Sequence, residues 1–193
     1  MRDSKRCLSG GWRGSAGFTL VELLVVLLVG AILLGVGIPA MQSLIADNQL
    51  NALTDGFATA LNTARSEAAK LGTNVGLNTL GSPATNWGAG WTMTVPSTGT
   101  TLRNGAPVPS NYSLNSTANL TGPLLFDSTG RIYNGVTVGT VEFVICQGQG
   151  PSTGGAARMI SVAPSGRVRI ATNNSSGWPI DNTTGNPINN CSP

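Results

Sequence analysis

Twenty-four consecutive residues, Leu23–Ala46, carry no charge, and Leu23–Ile38 is almost wholly aliphatic or small. About 20 helical residues at roughly 1.5 Å each span a bilayer core, so a run of this length predicts one membrane-crossing helix. The charges around it set its direction. Residues 1–17 hold Arg2, Lys5, Arg6 and Arg13 against Asp3, a balance of +3. Basic flanks stay on the cytoplasmic side, which predicts a single-pass chain whose bulk faces outward. From residue 18 onward seven basic and seven acidic groups cancel, so the sequence pI near 9.1 belongs to the N-terminal segment. Any polyanion site on the remainder must be a local arginine cluster.

A secretory signal peptide is the plain alternative for such a run, but its apolar stretch is usually only about 7–15 residues and ends at a small-residue cleavage site. Here the stretch is longer, and no clear A-x-A site follows it. Glu22 also lies inside the apolar run Phe18–Ile38. A carboxylate there costs about 2.5–3.5 kcal/mol on insertion scales, so it calls for a partner.

The segment Gly17-Phe18-Thr19-Leu20-Val21-Glu22 closely resembles the prepilin peptidase site of type IV pilins and type II secretion pseudopilins. The resemblance implies cleavage of a cytoplasmic leader between Gly17 and Phe18 by prepilin peptidase, methylation of the Phe18 amine, and retention of the helix. It also implies that Glu22 serves filament assembly, neutralising the terminal amine of a neighbouring subunit where water is excluded. Pro39 matches the family as well, at a place where the helix can extend in the filament. At 17 residues the leader is somewhat long for the family.

Leu50, Leu53, Phe57, Leu61, Ala64, Ala68 and Leu71 recur at helical spacing, whereas Asp47, Asp55, Arg65, Glu67 and Lys70 fall off that stripe. The helix is therefore expected to run from Phe18 to Leu71, about 80 Å at 1.5 Å per residue, and to stop at Gly72. Thereafter Val75–Thr79, Trp91–Val95, Leu124–Phe126, Val136–Cys146, Arg158–Ala163 and Gly166–Ala171 read as strands between Gly, Pro, Asn and Ser. The last two predict a hairpin across Pro164-Ser165-Gly166. Residues 97–123 read as a long exposed loop with room for one short strand, and 172–190 as a polar tail. The organisation expected is a leader (1–17), a transmembrane or filament-core half-helix (18–46), an amphipathic half-helix (47–71) and a β-rich domain (72–193). Its fold class is α+β, the type IV pilin-like fold of a long N-terminal helix on a mostly antiparallel sheet domain.

Loss of the leader removes Cys7 and leaves Cys146 and Cys191 as the only possible intramolecular pair. An oxidising periplasm favours their disulfide over two free thiols.

Ala64-Arg65-Ser66-Glu67-Ala68, Gly90-Trp91-Thr92 and Phe126-Asp127-Ser128-Thr129-Gly130-Arg131 are similar to the GspH/FimT group of minor pilins and pseudopilins. Gly166-Arg167-Val168-Arg169 further resembles the G-R-x-R motif of FimT-type minor pilins linked to natural transformation, whose arginines contact double-stranded DNA. Arg167 and Arg169 on one strand share a face, about 6–7 Å apart by strand rise, and guanidinium groups grip phosphate oxygens without regard to sequence. Arg158 on the partner strand is expected to extend the patch. Two solvated arginines guarding an edge strand remain the alternative. Arg103 and Arg131 read as solvated singletons, and Trp178 as a cover for the sheet.

No His occurs anywhere, which removes imidazole bases, Ser-His and Cys-His nucleophile pairs and imidazole metal sites. The carboxylates are scattered, and no phosphate-cradling glycine loop stands before a helix. The expectation is a non-enzymatic minor pilin, without cofactor or metal, that binds DNA for uptake; its partners are other pilins, prepilin peptidase and the inner membrane. The alternative is a GspH-type pseudopilin or a priming pilin that binds no DNA.

Overall fold

The computed structural model of the chain describes residues 17–116, 123–133, 139–153, 155–182 and 184–191. The expected leader, apart from Gly17, lies outside them, as do residues 134–138 and the side chain of Pro39. The chain divides into two units, residues 1–43 and 44–193, each described by itself.

Helix α1 spans Leu20–Leu71. It begins two residues later than expected because Thr19 caps it, its Oγ1 accepting the Glu22 amide at 3.2 Å. In the first unit the apolar side chains face outward, with Leu23, Val25, Leu28, Ile32 and Leu33 each more than half exposed. On the described residues alone no helix is long and apolar enough to cross a membrane.

In the second unit the helix shows the stripe that its sequence predicts. Leu50, Phe57, Leu61, Ala64 and Ala68 are buried, Leu53 is half-buried, and the terminal Leu71 is exposed. Gly72, at φ 63°, ends the helix in the left-handed conformation that glycine adopts without penalty. The stripe packs on two antiparallel sheets. Strands β1 (Val75–Thr79), β2 (Trp91–Val95), β3 (Thr100–Gly105), β5 (Leu124–Phe126) and β6 (Ile132–Tyr133) form the first, in the order β3-β2-β1-β5-β6. Strands β4 (Tyr112–Ser116), β7 (Val141–Gln147), β8 (Ala157–Val162) and β9 (Val168–Ile170) form the second, in the order β4-β7-β8-β9.

One core joins helix and sheets. Phe57 meets Trp87 and Phe143 edge-to-face at 5.9 and 4.9 Å between ring centroids, within a cluster that includes Leu61, Leu77, Phe126 and Ile160. Strand β7 is buried on both faces, which explains its nearly unbroken apolar run. Val141, Phe143 and Ile145 face that core, while Val144 and Cys146 face a second cluster with Met159, Trp178 and Cys191. Cys146 and Cys191 are joined by a disulfide, which ties the C-terminal tail to β7.

Candidate nucleic-acid interface

The β8–β9 hairpin presents the arginine motif. The Gly166 amide donates to Ala163 O at 2.7 Å and the Ala163 amide to Arg167 O at 3.0 Å, closing a three-residue loop. Gly166 takes the left-handed φ of 75° that such a loop requires. Pairing then runs Val162 to Val168, Ser161 to Arg169 and Ile160 to Ile170. Val168 packs on the core beside Val162, so by strand alternation Arg167 and Arg169 point to the opposite face of the edge strand. Both are exposed, and among the described residues neither guanidinium has a hydrogen bond or an ion pair.

The same parity corrects the expectation for Arg158. It shares a face with Ile160 and Val162, turned toward the helix, where its Nε–H donates to Asn51 Oδ1 at 3.1 Å. It does not extend the Arg167–Arg169 patch. Glu142 does lie on the arginine face, paired with Ser161, which in turn pairs with Arg169. Two strand spacings, about 10 Å, separate its Cα from that of Arg169, and its side chain is buried.

Beneath the hairpin three distant segments meet. Arg65 of α1 donates its Nε–H to Gly130 O at 3.0 Å and reaches Ser165 O from Nη2 at 3.4 Å. The Ile132 amide donates to Pro164 O at 3.1 Å. A Cβ on Gly166 would lie 1.8 Å from Gly130 O, so the two backbones touch. The loop that brings Gly130 here is shaped by Asp127, whose Oδ1 accepts the Thr129 amide at 2.8 Å, the Thr129 hydroxyl at 2.6 Å and the Arg131 amide at 3.0 Å. These bonds, the Thr129 hydroxyl foremost, hold the Asp127 carboxyl below its ordinary value.

A family model described as type II transport protein GspH matches residues 53–166, more than half of the chain. The chain belongs to the GspH family. The prokaryotic N-terminal methylation motif matches residues 12–38, around Gly17, Phe18 and Glu22, and is the mark of membrane-anchored pilus and pseudopilus subunits. Two crystal forms of the type IV minor pilin FimU of Pseudomonas aeruginosa share the fold. The first has a TM-score of 0.55 at 21% identity, covering 65% of this chain and 90% of that one; the second has a TM-score of 0.52 at 20% identity, covering 63% and 92%. A search of curated proteins gave no match.

The GspH match ends at Gly166. The Arg65–Gly130–Gly166 junction therefore lies within the matched region of this GspH-family chain, while Arg167 and Arg169 lie just beyond it. Trp178, 7% exposed, packs over Val144 and Met159 as a cover for the sheet. A cavity of about 380 Å³ between Gly56 of the helix and β3 is lined by Leu53, Phe57, Trp91 and Val108, with Arg103 at its edge; none of Arg131, Arg167 and Arg169 lines it. In the first unit Phe18 is 79% exposed, and Glu22 stands in the first turn of α1 with its amide donating to Thr19 Oγ1. Sequence reasoning missed the part that Arg65 plays beneath the arginine hairpin: it stood out only as a charge off the helix stripe and as part of a family signature, since no local pattern announces a contact across 65 residues.

Proposed function

We propose that this protein is a minor type IV pilin that binds double-stranded DNA through Arg167 and Arg169 for uptake in natural transformation. The observation that carries the reading is the β8–β9 register, which puts on one face of an edge strand two exposed guanidiniums that have no ion-pair partner among the described residues. Prepilin peptidase cuts after Gly17, Phe18 is methylated, and Glu22 serves assembly with neighbouring pilins. The apolar half of the helix crosses the inner membrane with the β-rich unit in the periplasm, and then lies in the filament core, reaching the cell surface with the pilus. The subunit is structural and non-enzymatic; retraction of the filament draws bound DNA inward.

The test is fluorescence-anisotropy titration of labelled duplexes of unrelated sequence with the full chain in neutral detergent micelles. The two strand arginines predict sequence-independent binding and contribute about −1.8 to the slope of log K against log salt. Arg167→Gln with Arg169→Gln should abolish most of it. Unchanged binding by that variant removes the site.

The GspH match favours a second reading, a pseudopilin of type II secretion whose arginines touch other subunits. That reading predicts no salt-dependent DNA binding by the parent chain, and loss of filament assembly when the two arginines are replaced.

A further inference from the structure

We propose that Arg131 is a further phosphate contact, so that the DNA-binding face straddles the junction between the two sheets instead of lying along β9 alone. This rests on the DNA-binding reading above. Gly130 O touches Gly166, and Arg131 and Arg167 are each the next residue along. By ordinary backbone dimensions their Cα atoms are then at most about 10 Å apart. Two arginine side chains rooted that close together can engage neighbouring phosphates of one strand.

Three further observations fit Arg131 for the role. Its side chain is exposed, and its guanidinium has no hydrogen-bond or ion-pair partner among the described residues. The nearby Asp127 carboxylate attracts its charge but forms no ion pair with it among the described residues, and Oδ1 is taken by the Thr129 amide, the Thr129 hydroxyl and the Arg131 amide. The backbone at Arg131 is held on both sides, its amide by Asp127 Oδ1 and its carbonyl by the Asp127 amide at 2.9 Å, so its side chain projects from a fixed root. Arg65 adds positive charge beneath, but its Nε–H and Nη2 are committed to Gly130 O and Ser165 O. Of the seven basic residues from position 18 onward, Arg65, Arg131, Arg167 and Arg169 thus collect at one corner.

The experiment measures the salt slope of duplex binding for the full chain in neutral micelles, comparing the parent with Arg131→Gln, Arg131→Lys and Arg103→Gln. Three contacts give the parent a slope of about −2.7, and Arg131→Gln should reduce it by about 0.9 and weaken binding alike for every sequence. Arg131→Lys keeps the charge and should restore most of the slope, which a loop-folding role would not predict. Arg103, on β3 at the far edge of the first sheet, serves as the control and should change nothing. A parent slope matched by Arg131→Gln, while Arg167→Gln with Arg169→Gln still abolishes binding, overturns the role of Arg131 and leaves the strand site standing. A parent chain that binds no DNA overturns both.

Discussion

Replacing Gly166 with Ala tests the junction that aims the arginine hairpin. Two costs arise. A Cβ at φ 75° carries the left-handed penalty of about 1–2 kcal/mol. The added carbon would also sit 1.8 Å from Gly130 O, a backbone atom that cannot rotate away. Relief requires the hairpin and the 127–131 loop to part by more than an ångström, which breaks the Arg65 Nε–H bond to Gly130 O. At a half-buried site that charge-assisted bond is worth about 1 kcal/mol, below the full range for ionised donors. The total is about 2–3 kcal/mol. Gly99 provides the comparison, because it has a similar φ of 68° but open space where a Cβ would go. Gly99→Ala should cost only the conformational part, about 1–2 kcal/mol, so the two variants differ by the lost contact, about 1 kcal/mol. Urea unfolding followed by tryptophan fluorescence should place the Gly166→Ala midpoint about 0.5 M below that of Gly99→Ala, for an m-value of about 2 kcal/mol/M. Combined with Arg65→Ala, Gly166→Ala should add less than its own cost, because the two lose one contact. Equal costs at Gly166 and Gly99, or full additivity with Arg65→Ala, would refute the junction.

Two further outcomes follow from the same geometry. Replacing Cys146 and Cys191 together with Ser should lower stability by up to about 4 kcal/mol, the chain-entropy value for the 45-residue separation they close, measured by the same urea titration with and without reductant. The parent under reductant should match the double variant. Asp127 is held below its ordinary carboxyl value in the fold, so its contribution is complete above the unfolded value near 3.8 and is lost as pH falls through the folded one. Asp127→Asn should therefore flatten the acid limb of stability against pH while leaving the slope at neutral pH unchanged; an unaltered acid limb would show that the loop bonds do not reach the folding equilibrium.

Much of the fold could be read from residue chemistry, for reasons that also explain the misses. Strands β1, β2 and β5 match their expected bounds because each is a β-branched, aliphatic or aromatic run between turn-forming residues. Strand β3 lies inside the segment read as loop because Thr100–Gly105 is exposed throughout, or nearly so, and presents no apolar face; its backbone pairing with β2 holds it. Strand β4 was hidden differently, since its buried positions are Tyr112, Leu114 and Ser116, and the last of these reads as polar. Trp87 stands alone among Asn and Gly, yet it is 1% exposed at the centre of the core. Arg158 was misplaced by parity: counting from Ile160 and Val162 assigns it to the helix face, but only once those two are known to point inward.

The family signatures Ala64–Ala68, Phe126–Arg131 and Gly166–Arg169 look like separate marks along the chain, and in the fold they describe one object. The first supplies the guanidinium of Arg65, the second the carbonyl of Gly130, and the third a glycine that must lack a Cβ for the other two to meet. Each constraint is meaningless without the others, which is why no single stretch discloses it. The arrangement also gives the hairpin arginines their direction. β9 is a three-residue strand at a sheet edge with only Val168 turned to the core, so its own contacts hold its register weakly. Clamping its turn to the helix through Arg65, and to the 127–131 loop through Ile132 and Pro164, fixes which face Arg167 and Arg169 present. A polyanion site built on two or three contacts has little energy to spend on ordering its own side chains. On the proposed function, rigid support beneath the arginines is therefore a condition of useful binding, and Arg65 supplies it through Gly130 and through Ser165, 100 residues away.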